Sequence, residues 1–90
     1  MPGNFRVVSV GSAVTQIVSY NPNRKLILVL NESDYTIYVS KDPMNVKELG
    51  IAVYPFESIV FDVADSDSPE EALYAVSEGV SKVRIYEAVV

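Results

Sequence analysis

The sequence has no cysteine and no histidine. Without cysteine there are no disulfides and no thiolate metal sites to staple the fold. Without histidine the chain lacks the usual general base, the Ser-His triad and the commonest metal ligand. Basic residues are few, seven against twelve acids, which leaves a net charge of −5. Apart from Arg24-Lys25 they are scattered, so no basic stripe exists to meet nucleic acid phosphates. No apolar segment is long enough to span a membrane. The opening Met1-Pro2-Gly3-Asn4-Phe5 has neither a charged n-region nor a long apolar h-region, so it does not read as a signal peptide. The expectation is a chain made and used inside a cell, or assembled there into something larger.

What is present is apolar. Hydrophobic residues make up 49% of ninety residues, which argues against disorder and for one small domain with a thin core. No repeat, low-complexity tract or linker divides it. A chain of this size gains stability by oligomerising or docking on a larger body.

The organising stretch is Asn21–Ser40. Leu26–Leu30 is an unbroken apolar run, short enough for a strand buried on both faces and too short for a free helix. Leu28, in mid-run, is expected to be deeply buried. Tyr35–Val39 is β-branched and aromatic, the composition of a pleated, half-buried surface. Asn31, Ser33 and Asp34 suit a tight turn between them. The pair reads as a central β-hairpin.

The rest follows in order. Residues 1–4 read as a flexible lead, Phe5–Val10 as a strand, and Ala13–Tyr20 as an edge or partly exposed strand. Asn21-Pro22-Asn23 is a turn signal. Lys41–Gly50 is a connection, with Val46 and Leu49 tucking one helical turn against the sheet. Ile51–Tyr54 is a strand closed by Pro55. Ser58–Val63 alternates, with Ile59, Phe61 and Val63 on one side. Ser68-Pro69-Glu70-Glu71 has the spacing of a capping box with Pro at N1. The preferred reading is one helical turn at Pro69–Ala72 and then a strand from Leu73; a helix running to Gly79 is the alternative. Val83–Val90 is the last strand, with Val83, Ile85 and Glu87 sharing a side. About eight short strands predict a single all-β domain over residues 1–90. It is expected to be a small antiparallel β-sandwich, jelly-roll or immunoglobulin-like, or a partly open barrel.

Three groups carry candidate chemistry. Asp62, Asp65, Asp67 and Glu70 lie in an acidic loop whose carboxylates are weak calcium candidates. The loop lacks the EF-hand order, and helix capping plus a solvated acidic surface is the simpler account. Ser40-Lys41 and Ser81-Lys82 are the nearest approach to a nucleophile beside a base, but both lie beside turns. No catalytic residue and no cofactor site is nominated, and the chain is not expected to be an enzyme. The tyrosines are numerous. Tyr35, Tyr38, Tyr54 and Tyr86, with the terminal Val89 and Val90, are the interface candidates, because tyrosine joins apolar area to a polar tip. The tail Ala88-Val89-Val90 has no obvious cover within the chain.

Asn21-Pro22-Asn23-Arg24-Lys25, an apolar strand, Asn31 and Ser33, then Ile37-Tyr38-Val39-Ser40 form an ordered series. Gly50-Ile51, Pro55, Ala72-Leu73-Tyr74-Ala75 and Val83-x-Ile85-x-Glu87 continue it. Over about residues 20–88 the series resembles the small β-sandwich structural domains of tailed-phage and related virus particles, including head-decoration and tail accessory proteins. The Pro-Glu-rich insert before Ala72 departs from that pattern. So does Pro55-Phe56-Glu57, where a Pro-Gly turn is expected. The resemblance implies a structural or assembly protein without catalysis, located in a virion and assembled in the host cytoplasm. Its partners would be capsid or tail proteins or its own copies, with no direct contact to nucleic acid or membrane. A soluble cellular ligand-binding or adaptor β-domain, with the acidic loop as a possible cation site, is the alternative.

Overall fold

The run Leu26–Leu30 does lie in a strand, and its side chains alternate as a pleat requires. Ile27 and Val29 are buried, whereas Leu26, Leu28 and Leu30 are only half-buried. The strand is thus apolar on both faces but covered on one. The computed structural model describes residues 3–62 and 68–89. Its strands are β1 (Gly3–Val10), β2 (Thr15–Val18), β3 (Arg24–Asn31), β4 (Ile37–Ser40), β5 (Ile51–Val53), β6 (Ser58–Asp62), β7 (Leu73–Ser77) and β8 (Ser81–Val89). One helical turn, α1 (Val46–Leu49), lies between β4 and β5.

Two four-stranded antiparallel sheets form a small β-sandwich. The first has the order β1-β8-β3-β6 and the second β2-β7-β4-β5. The inward residues of both make one core, with Ile27, Val29, Val83 and Ile85 facing Ile37, Val39, Val53 and Ala75. Ile59 and Phe61 of β6 pack against it.

The central hairpin does not form. β3 lies between β8 and β6, and β4 lies between β7 and β5, so the two belong to different sheets. The link from Glu32 to Thr36 is an arch across the core. Asn31 bends it: its Nδ2 donates to the Tyr35 carbonyl at 2.6 Å and to the Val53 carbonyl at 2.9 Å. Among the described strands only β4 and β5 are both consecutive and in the same sheet; every other step along the chain changes sheet.

Other expectations divide. β1 begins at Gly3 rather than after residue 4, with Gly3 paired to Ala88 and Asn4 to Glu87. Glycine suits that position because a Cβ there would collide with the Tyr86 ring. β2 is an edge strand, as expected, but a register shift between Gln16 and Val18 buries both Ile17 and Val18. The α1 turn buries Val46 and leaves Leu49 74% exposed. Asn21 closes its turn through a 2.9 Å bond from the Asn23 amide to Oδ1.

No helix forms at Pro69–Ala72. Residues 69–71 make a turn whose three carbonyls serve other segments. Arg24 Nε donates to Pro69 O at 2.6 Å, the Asn21 amide to Glu70 O at 2.8 Å, and Arg24 Nη2 to Glu71 O at 2.8 Å. Leu73–Ser77 is then the strand β7. Phe56, at the expected glycine position, has φ 60°, the left-handed conformation that glycine adopts without strain. Nor is the tail without cover. Ala88 is buried between Gly3 and Leu26, and Val89 pairs with Arg24; Val90 lies outside the described residues.

Candidate functional site

Polar side chains gather at the two ends of β3. At its start, Arg24 is 2% exposed and its guanidinium also donates to Ser19 O at 3.0 Å. Its Nη1 lies 3.7 Å from Glu87 Oε2. Arg6 Nη2, from the edge strand, reaches Glu87 Oε1 at 2.7 Å and Ile17 O at 3.1 Å. The Arg6–Glu87 contact is ionic, at an angle that makes no hydrogen bond. Burial lowers the Arg24 pKa from its ordinary value, and the Glu87 carboxylate works against that shift. A guanidinium stays charged regardless, so the group clamps β2, β3, β8 and the 69–71 turn. It offers no proton for transfer.

At the far end, Asn31, Ser33, Ser77 and Ser81 form a second cluster. Ser33 Oγ lies 2.6 Å from Asn31 Oδ1 and 3.0 Å from Ser81 Oγ, and Ser77 Oγ lies 2.6 Å from Ser81 Oγ. Asn31 and Ser81 are fully buried. Each hydroxyl is held by a neighbouring hydroxyl, amide or carbonyl rather than by a base. This is the arrangement of a lock between sheets, since buried polar groups must find partners.

Two shallow clefts lie among the described residues. One, of about 380 Å³, is lined by Ser12, Tyr38, Lys47, Val76, Ser77 and Glu78. The other, of about 330 Å³, is lined chiefly by Val39, Lys41, Leu49, Ile51, Phe61 and Leu73. Their charged side chains are paired: Lys47 with Glu78 at 3.6 Å, both lining the first cleft, and Lys41 of the second with Glu71 at 3.2 Å.

Of the calcium candidates, Asp62 ends β6 and Glu70 lies in the 69–71 turn; Asp65 and Asp67 lie outside the described residues. Among the described residues no group of three or more acids is placed to hold a metal ion. No described helix is long and apolar enough to cross a membrane.

The tyrosines do not share one surface. Tyr35 lies against Gly79, where a Cβ would strike its ring, and is 48% exposed. Tyr38 is on the outer face of the second sheet, with Lys47 Nζ 6.0 Å from its ring centre. Tyr54 follows β5 and is 58% exposed. Tyr86 alone lies on the outer face of the first sheet, its ring centre 4.7 Å from that of Phe5 and tilted by 44°.

That outer face is the feature the sequence reading missed. Strand register sets Phe5, Tyr86, Leu28 and Val60 side by side across all four strands. The next rows are Val7, Arg84, Leu30 and Ser58 on one side, and Gly3, Ala88, Leu26 and Asp62 on the other. Phe5 is 73% exposed, Val7 49% and Val60 47%. A signal was present: Leu26–Leu30 is apolar at both parities, and Val60 interrupts the polar side of its strand. The second sheet differs. Its outer face carries Gln16, Tyr74, Val76, Tyr38 and Ser40, and α1 packs against β4 and β7.

The class established by these observations is a two-sheet antiparallel β-sandwich domain. No family model, no curated protein and no solved structure matches this chain.

Proposed function

We propose that this chain is a structural or assembly protein without catalytic activity, which docks by the outer face of its first sheet onto a protein shell or onto its own copies. The observation that carries the reading is the contiguous apolar row Phe5, Tyr86, Leu28 and Val60. Large exposed apolar patches mark interaction sites, because water-exposed apolar area is costly until a partner covers it. Tyr86, paired with Phe5, is the anchor, and aromatic side chains dominate such contacts. The two buried polar clusters support the same reading, since their side chains are spent on joining the sheets. The resemblance to virion sandwich domains supplies the setting: a capsid-decoration or tail-accessory component of a virus particle.

Co-sedimentation with capsid shells and tails of tailed phages tests this. Wild-type chain is expected to sediment with one class of particle, and Val60→Lys to remain in solution with its fold intact. Equal binding by Val60→Lys, or binding to neither particles nor copies of itself, overturns the reading.

A further inference from the structure

We infer that the first part of β1, Gly3–Val7, is a strap that opens from β8 while the rest of the sandwich stays folded, and that Arg6 is its latch.

Burial sets the strap apart. β1 is an edge strand, paired with β8 alone. Gly3–Val7 are exposed one after another, Val8 is half-buried, and Val10 is fully buried. The edge strand β2, by contrast, sinks both Ile17 and Val18 into the core. The far end of β1 is anchored, since Val10 belongs to the core and the Ser77 amide donates to the Gly11 carbonyl at 2.8 Å. A segment with few buried apolar contacts and a solvent-exposed ladder opens at lower cost than the core. The boundary falls at Val8, where packing against the core begins.

Arg6 holds what burial does not. It pairs with Ile85, a core residue, so its side chain starts on the inner side of the sheet. An apolar residue there would extend the core. The guanidinium instead crosses to the second sheet, where it donates to Ile17 O at 3.1 Å and lies 2.7 Å from Glu87 Oε1. Breaking a buried ion pair outright would leave a charge alone in the interior, at high cost. Glu87 avoids this, because Arg24 stays beside its other oxygen when Arg6 leaves. The strap can therefore be released without stranding a buried charge. On the outer side only the Phe5 ring against Tyr86 must part. Opening bares β8 from Arg84 to Ala88 on the side facing β1; alternate backbone groups of the same stretch stay bonded to β3.

Native-state hydrogen exchange, read amide by amide by NMR, tests this. In the wild type, the strap amides bonded to β8, and the β8 amides bonded to the strap, are expected to exchange about 100-fold faster than amides of β3 and β7. Two variants separate opening from unfolding. Ile27→Val weakens a contact that the opened molecule keeps and the unfolded chain loses. It is expected to speed the core amides about 5-fold and leave the strap unchanged. Arg6→Gln removes a contact made only with the strap closed. It is expected to speed strap and core alike, by about 10-fold. Strap amides that exchange at the core rate overturn the inference, and so do strap amides with no protection at all. A strap that responds to Ile27→Val as the core does shows that it leaves only with global unfolding, which also overturns it. A strap that exchanges in Arg6→Gln as in wild type overturns the role of Arg6.

Discussion

The two faces of the first sheet are built from the same strands and much the same residues. On the inner face Ile27, Val29, Val83 and Ile85 are each at most 1% exposed. The outer face, with Leu26, Leu28, Leu30 and Tyr86, is half-buried, and Phe5 at its edge is 73% exposed. Each face also has an ion pair. Inside, Arg24 meets Glu87 with side-chain exposures of 1% and 8%; outside, Arg84 meets Glu32 at 40% and 26%. The difference lies in what covers each face. Apolar composition marks a strand, but burial is decided by the second sheet, which lies on one side only.

The largest effect separates the two ion pairs. Arg24→Met removes the donor to Pro69, Ser19 and Glu71 carbonyls and the buried partner of Glu87. It is expected to cost about 3–5 kcal/mol, a large share of the ~5–10 kcal/mol that a domain of this size holds. Urea melts read this directly, and a loss below about 1 kcal/mol would mean that the clamp does not bear on stability.

Neighbouring positions on β3 come next. Ile27→Ala opens a cavity in a closed core and is expected to cost about 2–5 kcal/mol. Leu28→Ala, one residue on, faces outward and should cost about half as much or less in the monomer, because solvent fills the space left. Equal losses in dilute solution would show that the outer face is already covered in the single chain. Val60→Thr keeps the β-branched shape on the outer face and is expected to change stability by less than about 0.5 kcal/mol.

The smallest effect depends on pH. The Arg84 guanidinium, bonded to Glu32, holds that carboxyl below its ordinary value. A group whose folded pKa is depressed contributes stability above its unfolded pKa and loses it as pH falls through the folded value. Glu32→Gln should therefore lower the melting temperature at neutral pH, and the gap to wild type should close below the carboxylate range. A gap that stays constant into acid would show that the pair does not act through charge.

Period-two alternation, turn residues and the absence of helix-length patterns determined the fold class and most strand positions. Val83, Ile85 and Glu87 do share the inner side, and Ile59 and Phe61 do face the core. Those properties are local, set by side-chain parity and by residues such as Asn21 and Pro55 that shape their own backbone. Pairing was not legible. Leu26–Leu30 and Ile37–Val39 satisfy a hairpin and an arch equally, because side by side in one sheet or face to face across two, the same residues turn inward. The arch was decided by Asn31 holding the Tyr35 carbonyl within the link and the Val53 carbonyl from a distant segment, whose approach no neighbouring residue reveals. In the same way the capping box at Ser68–Glu71 lost to Arg24 and Asn21, which take carbonyls that a helix would have used for itself. The outer apolar face was present in the sequence as an excess of leucine and valine. Only the register of four strands, drawn from both ends of the chain, gathered that excess into one surface, since strand pairing is a long-range choice made by the closed core.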